Sequence, residues 1–83
     1  MAGAAIIVLT QMPDRASALA LARSLVEARV AACVSVGPPV ESLYHWRGKI
    51  ETAHETPVVV KTSAGRYSEV EAAIRARHPY ELP

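Results

Sequence analysis

The sequence holds one cysteine, Cys33, and no phenylalanine among its 83 residues. A single thiol cannot close a disulfide within the chain, and it suits a reducing compartment. Charge of one sign is also missing. Nine Lys and Arg residues stand against eight Asp and Glu, for a formal net charge of +1. No run of like charge exists, which argues against a nucleic-acid partner. Long apolar runs are absent as well. The N-terminal stretch is too short for a membrane span and lacks the basic residues that open a signal peptide, so no membrane partner is expected and the expected location is the cytoplasm. Nor is there a Ser/His/Asp set, a readable pair of acids or a glycine-rich phosphate loop.

These absences bound the fold. A chain of this size is one domain, residues 1–83, and buries roughly 60–65% of the surface its unfolded form exposes. Without disulfides or a structural metal, oligomerisation is the usual remedy. The apolar fraction of 51% is carried by Ala, Val and Leu. That is more apolar surface than one small core requires.

The stretch from Ala31 to Thr62 organises the rest. From Val34 the even positions run Val34, Val36, Pro38, Val40, Ser42, Tyr44 and Trp46, with mostly polar residues between them. Period two of this kind predicts a strand with one buried face. Gly37-Pro38-Pro39 interrupts it, since proline donates no ladder hydrogen bond, and the reading is a single strand bent there. Arg47-Gly48-Lys49 supplies a turn, and Pro57 starts a second run through Val58, Val59, Val60, Lys61 and Thr62.

The flanking segments read as cover for this hairpin. Ala4 to Thr10 is an apolar run of the kind expected in a strand buried on both faces. Asp14 is a plausible N-cap, and the stripe of Ala18, Leu21, Ala22, Leu25 and Val26 predicts a helix over 15–30. A loop at Ser63-Ala64-Gly65 precedes a second helix, marked by Tyr67, Val70, Ala73, Ile74 and Arg77 and stopped by His78-Pro79. The order is β-α-β-β-α. A split βαβ sandwich needs one further strand, so the chain is expected to be C-terminally incomplete.

Leu25-Val26-Glu27, Ala31-Ala32-Cys33-Val34, the run from Ser42 to Ile50 (Ser-Leu-Tyr-His-Trp-Arg-Gly-Lys-Ile), Glu55, Val60-Lys61-Thr62 and His78-Pro79-Tyr80-Glu81-Leu82-Pro83 form a set of motifs. Together they resemble the CutA family of divalent-cation tolerance proteins. The resemblance implies an α+β, ferredoxin-like fold, a tight homotrimer formed through the long hairpin, and an architecture similar to the PII signalling proteins. It also connects His78 with copper. Some family members carry a cysteine and a further histidine where this chain has Thr10 and Arg77, which implies weak binding at most.

The candidate residues divide accordingly. For metal, His78 leads, with Glu81 in the same segment, and Cys33 is a weak alternative that reads better as a small buried hydrophobe. His45 and His54 read as solvated, on the polar parity of the hairpin and in its turn region. No spacing among the histidines matches a compact zinc or copper site. Lys61, Glu55 and Tyr80 are polar positions that the family pattern keeps, and they would form a ligand cleft if brought together, with Lys61 holding an anion. Tyr44 and Trp46 share a strand face and read as subunit-interface residues. The leading expectation is a non-enzymatic trimer linked to copper tolerance, binding a divalent cation weakly or coupling to an unknown protein partner. The alternatives are a trimeric scaffold with a small-molecule cleft between subunits, and a Cys33- or His78-dependent enzyme, for which no activating partner is readable.

Overall fold

The computed structural model describes residues 4–77. Its elements run β1 (Ala5–Met12), α1 (Arg15–Glu27), β2 (Cys33–Val36), β3 (Val40–Trp46), β4 (Lys49–Ser63), a 3₁₀ turn (Ala64–Arg66) and α2 (Tyr67–Arg77). This is the expected β-α-β-β-α order, with the bent second strand divided into β2 and β3. The β4 strand is the spine of an antiparallel sheet. β1 pairs along one edge of its C-terminal half and β2 along the other, while β3 pairs with its N-terminal half. The expected final strand falls outside the described residues.

Alternation along β4 decides what is buried. Thr56, Val58, Val60 and Thr62 point to the helix side and are buried. They pair with Met12, Thr10, Val8 and Ile6 of β1, and Val58 and Val60 pair also with Val36 and Val34 of β2. Ala18, Leu21 and Leu25 of α1, with Val70 and Ile74 of α2, close this core from above. The odd positions face the other way. In β1 those are Ile7, 63% exposed, and Leu9, 73% exposed. The expectation that β1 is buried on both faces is therefore corrected: within one chain the helices cover only one side of it.

Both helix ends of α1 follow from local chemistry. Asp14 caps the N-terminus, its carboxylate accepting from the Ser17 backbone N–H at 2.8 Å. At the C-terminus the Arg29 N–H donates to the Val26 carbonyl at 3.0 Å and the Val30 N–H to the Leu25 carbonyl at 3.1 Å. These two bonds form a Schellman motif, which places Arg29 in the left-handed region at φ 62°. Glycine is the usual residue there, and arginine costs about 1 kcal/mol more. The helix thus ends at Glu27, short of the expected Val30, and Val30 turns inward to join the core.

The bend at Gly37-Pro38-Pro39 does more than curve the strand. Val36 pairs with Val58, and Val40 pairs with Glu55. Three residues on one side (37–39) therefore face two on the other (56–57), which is a bulge. The single-residue slip reverses parity. Val34 and Val36 face the helices, whereas Val40, Ser42, Tyr44 and Trp46 lie on the opposite face with the odd residues of β4. A hydrogen bond from the Ser42 hydroxyl to Gln11 Oε1, at 3.1 Å, ties β3 to the same face of β1. The continuous even-numbered face expected from the sequence is thus two half-faces on opposite sides. Gly37 sits where a Cβ would lie 3.1 Å from Pro57 Cγ, so glycine is what allows this close approach.

The hairpin closes through Arg47, φ 53°, and Gly48, φ 77°, the two positive values of a type I′ turn. β4 begins directly after it, at Lys49 rather than Pro57. His54 consequently lies mid-strand opposite Glu41 and not in a turn. The arm lengthens the molecule to 47 × 23 × 19 Å, with a radius of gyration of 13.6 Å. A compact chain of this length would have about 12 Å.

Candidate functional site

The face of the sheet turned away from the helices is built from rows of cross-strand neighbours. One row is Ile7, Lys61 and Cys33; the next is Leu9, Val59 and Ser35. Beyond the bulge the same face continues along the arm with Val40, Ser42, Tyr44 and Trp46. Nothing in the described chain lies over it, and Ile7, Leu9, Tyr44 and Trp46 are exposed. Leu43, 67% exposed, and Ile50, 63% exposed, lie on the arm's opposite face. The arm is therefore apolar on both sides, a pattern that intramolecular packing does not account for. The Arg47 guanidinium sits 5.6 Å from the centroid of the Trp46 ring, a cation–π contact that covers one side of the indole.

The candidate residues are distributed unevenly over this surface. Cys33 and Lys61 are direct cross-strand partners, brought together at the end of the sheet. Cys33 is exposed and reduced. That corrects the expectation of a buried thiol: it opens β2 on the uncovered face, and only its neighbour Val34 turns toward the core. Glu55 is half-buried on the same parity of β4 as Lys61, but six residues of strand hold them about 20 Å apart. One chain does not assemble the cleft from these two. His45 and His54 are exposed, His45 opposite Ile50 at the arm's tip. His78, Tyr80 and Glu81 lie outside the described residues. Among the described residues no group of three or more His, Cys, Asp or Glu is placed to hold a metal, so these residues alone do not fit a copper site, which takes three or four ligands at ~2.0–2.3 Å.

Sequence reasoning missed one residue. The Thr62 hydroxyl donates to the Val30 carbonyl at 2.6 Å in the buried layer. It fastens the C-terminal half of β4 to the segment leaving α1. The alternation of the run already signalled a hydroxyl on the core side of a β-branched strand, and a buried hydroxyl requires a partner.

Among the described residues a four-stranded antiparallel sheet, with helices on one face and an apolar face and arm left open, defines a small α+β protein of the split βαβ kind. Comparison with known proteins narrows this. Residues 6–83 match the model of the CutA1 divalent ion tolerance protein family, and the chain belongs to that family. A divalent-cation tolerance protein CutA of Pectobacterium atrosepticum is 38% identical over 79 residues, spanning 95% of this chain and 72% of that protein. The crystal structure of the stable protein CutA1 from the psychrotrophic bacterium Shewanella sp. SIB1 superposes with a TM-score of 0.94 at 37% identity, over all of this chain and 78% of that one. The periplasmic divalent cation tolerance protein CutA of Archaeoglobus fulgidus gives 0.91 at 34% identity, over 96% of this chain and 78% of that one. No helix among the described residues is long and apolar enough to cross a membrane.

Proposed function

We propose that the protein works as a non-enzymatic, cytoplasmic homotrimer that contributes to tolerance of divalent metal ions, copper first among them. Membership of the CutA1 family supports the link to metal tolerance. The observation that carries the assembly is the uncovered face: Ile7, Leu9 and Trp46 are more than half exposed on one continuous surface. An isolated chain leaves that surface wet, whereas three copies turned inward around one axis close it.

Metal binding follows from the donor set. The described residues offer no three-ligand group, so coordination draws on His78, with Glu81 from the same segment, and on more than one copy. Binding is accordingly weak. Transfer of the metal signal to a protein partner, as the similarity to PII architecture suggests, fits a weak, reversible site better than storage does. Cys33 has Lys61 beside it, no histidine at a neighbouring register position, and no part in this site.

Calorimetric titration of the assembled protein with Cu²⁺ tests the reading. Micromolar or weaker affinity is expected, reduced in His78→Ala and unaltered in Cys33→Ser. Nanomolar affinity lost in a folded, trimeric Cys33→Ser variant would overturn it.

A further inference from the structure

On the arm, the face opposite Tyr44 and Trp46 carries three cross-strand pairs: Glu41 with His54, Leu43 with Thr52, and His45 with Ile50. Leu43 and Ile50 are its apolar ground, and both are exposed in one chain. The two histidines differ in setting. His54 lies directly opposite a carboxylate, so a proton taken up there is offset by Glu41. His45, also exposed, lies opposite Ile50, with Leu43 two residues back and Thr52 diagonally across. On this face the nearest carboxylate among the described residues is Glu41, four residues along the strand and about 13 Å away. That is beyond the Debye length in physiological salt, about 8 Å. The closer charges are Arg47, in the turn, and Lys49 and Glu51, which flank Ile50, oppose each other in sign and point to the other face.

We propose that His45 makes insertion of the arm pH-sensitive: the neutral imidazole enters the interface between copies, and its protonation withdraws the arm. This rests on the trimer, in which the arm lies between copies. Covering Leu43 and Ile50 also takes water from the imidazole beside them. A neutral imidazole tolerates that, since its ring is largely apolar with a polar tip. An imidazolium does not, because burying an unpaired charge is costly, and its own chain places no carboxylate to pair with it. Histidine is the side chain whose ordinary titration falls between about pH 5 and 8. Assembly disfavours the charged form, so the contribution of His45 is complete above the ordinary imidazole pKa, about 6.5, and is lost as pH falls below it. At about pH 5.5 each arm then weakens assembly by up to about tenfold, and three arms together by about a thousandfold. Neither copper nor His78 takes part.

Trp46, the one tryptophan of the chain, reports the test. Its emission, followed over a dilution series of the full chain at about pH 8 and about pH 5.5, gives the concentration at which half the chains are assembled. For the wild type that concentration rises about thirtyfold in acid, the square root of a thousandfold change in a trimer's constant, while far-UV circular dichroism stays unchanged. His45→Gln, which cannot charge, keeps the tight value at both pH values. His45→Lys, charged at both, is weak at both. His54→Gln and His78→Ala keep the wild-type dependence. The inference is overturned if wild-type assembly is indifferent to pH or strengthens in acid, or if His45→Gln responds as the wild type does. A wild type already monomeric at about pH 8 overturns the trimer itself, whereas a trimer indifferent to pH overturns only the role of His45.

Discussion

Three residues show how single side chains set this fold. Asp14 is the first. Backbone and hydroxyl hydrogen bonds from Ser17 hold its carboxyl below its usual range, outweighing a small opposing effect of desolvation. A carboxyl lowered on folding contributes stability that is present above its unfolded pKa, about 3.9, and is lost as pH falls through the folded value. Asp14→Asn should therefore be less stable than wild type at neutral pH, with the gap closing as pH falls below the unfolded carboxyl's range and Asp14 is protonated, as thermal melts at several pH values would show. Thr62 is the second. Replacing it with Val keeps shape and β propensity but strands the Val30 carbonyl in the core. Thr62→Val should cost about 1–3 kcal/mol by urea denaturation, although by propensity it is neutral. The third is Leu21, fully buried beneath α1; Leu21→Ala should cost about 2–5 kcal/mol.

At the scale of elements, the sequence made the helices and the strand order legible, and it misplaced the faces. The α1 stripe identified Ala18, Leu21 and Leu25 correctly because a helix surface is read from its own periodicity. Parity in a strand has no such local anchor. It depends on register, and register after Gly37-Pro38-Pro39 depends on how many residues oppose it across the ladder. The bend was visible from two prolines; the reversal was not, because the count comes from β4. The same limit hid the uncovered side of β1, whose Ile7 and Leu9 look like core until the helices are seen to cover one face only. Site residues fared similarly: Cys33 and Lys61 are neighbours only through pairing, and Glu55 and Lys61 share a parity without sharing a place. Deleting Pro38 tests the bulge. Without the extra residue two residues face two across the ladder, and the type I′ turn at Arg47-Gly48 holds Trp46 opposite Lys49, so Tyr44 and Trp46 stay on the open face while the bend at the base of the arm is lost. The expected result is a folded chain whose tryptophan emission as a dilute monomer matches wild type, with self-association weakened because the arm is re-aimed, as light scattering would show.

At the scale of the whole molecule, much of the apolar surface lies where one chain cannot cover it. A domain of this size buries a smaller fraction of its surface than a larger one does and is correspondingly marginal. This one leaves Ile7, Leu9, Leu43, Trp46 and Ile50 more than 55% exposed along a 47 Å axis. Those residues lie on the open sheet face and on both sides of the arm. A single docking partner covers one face, whereas an arm apolar on both sides is satisfied by insertion between copies. Cyclic self-association supplies that geometry and removes the exposed face at once. Placed in such an interface, Trp46 acts as an anchor, and Trp46→Ala should cost roughly 3–5 kcal/mol per fully buried indole and loosen the assembly. Leu9→Glu, at the centre of the open face and remote from the α1 core, should disrupt assembly more completely, because it places a carboxylate from every copy near the common axis. Light scattering at micromolar concentration should give a trimer for the wild type and smaller species for Leu9→Glu. A wild-type monomer, or a Leu9→Glu protein that remains a trimer of unchanged thermal stability, would show that this face is not the one the copies share.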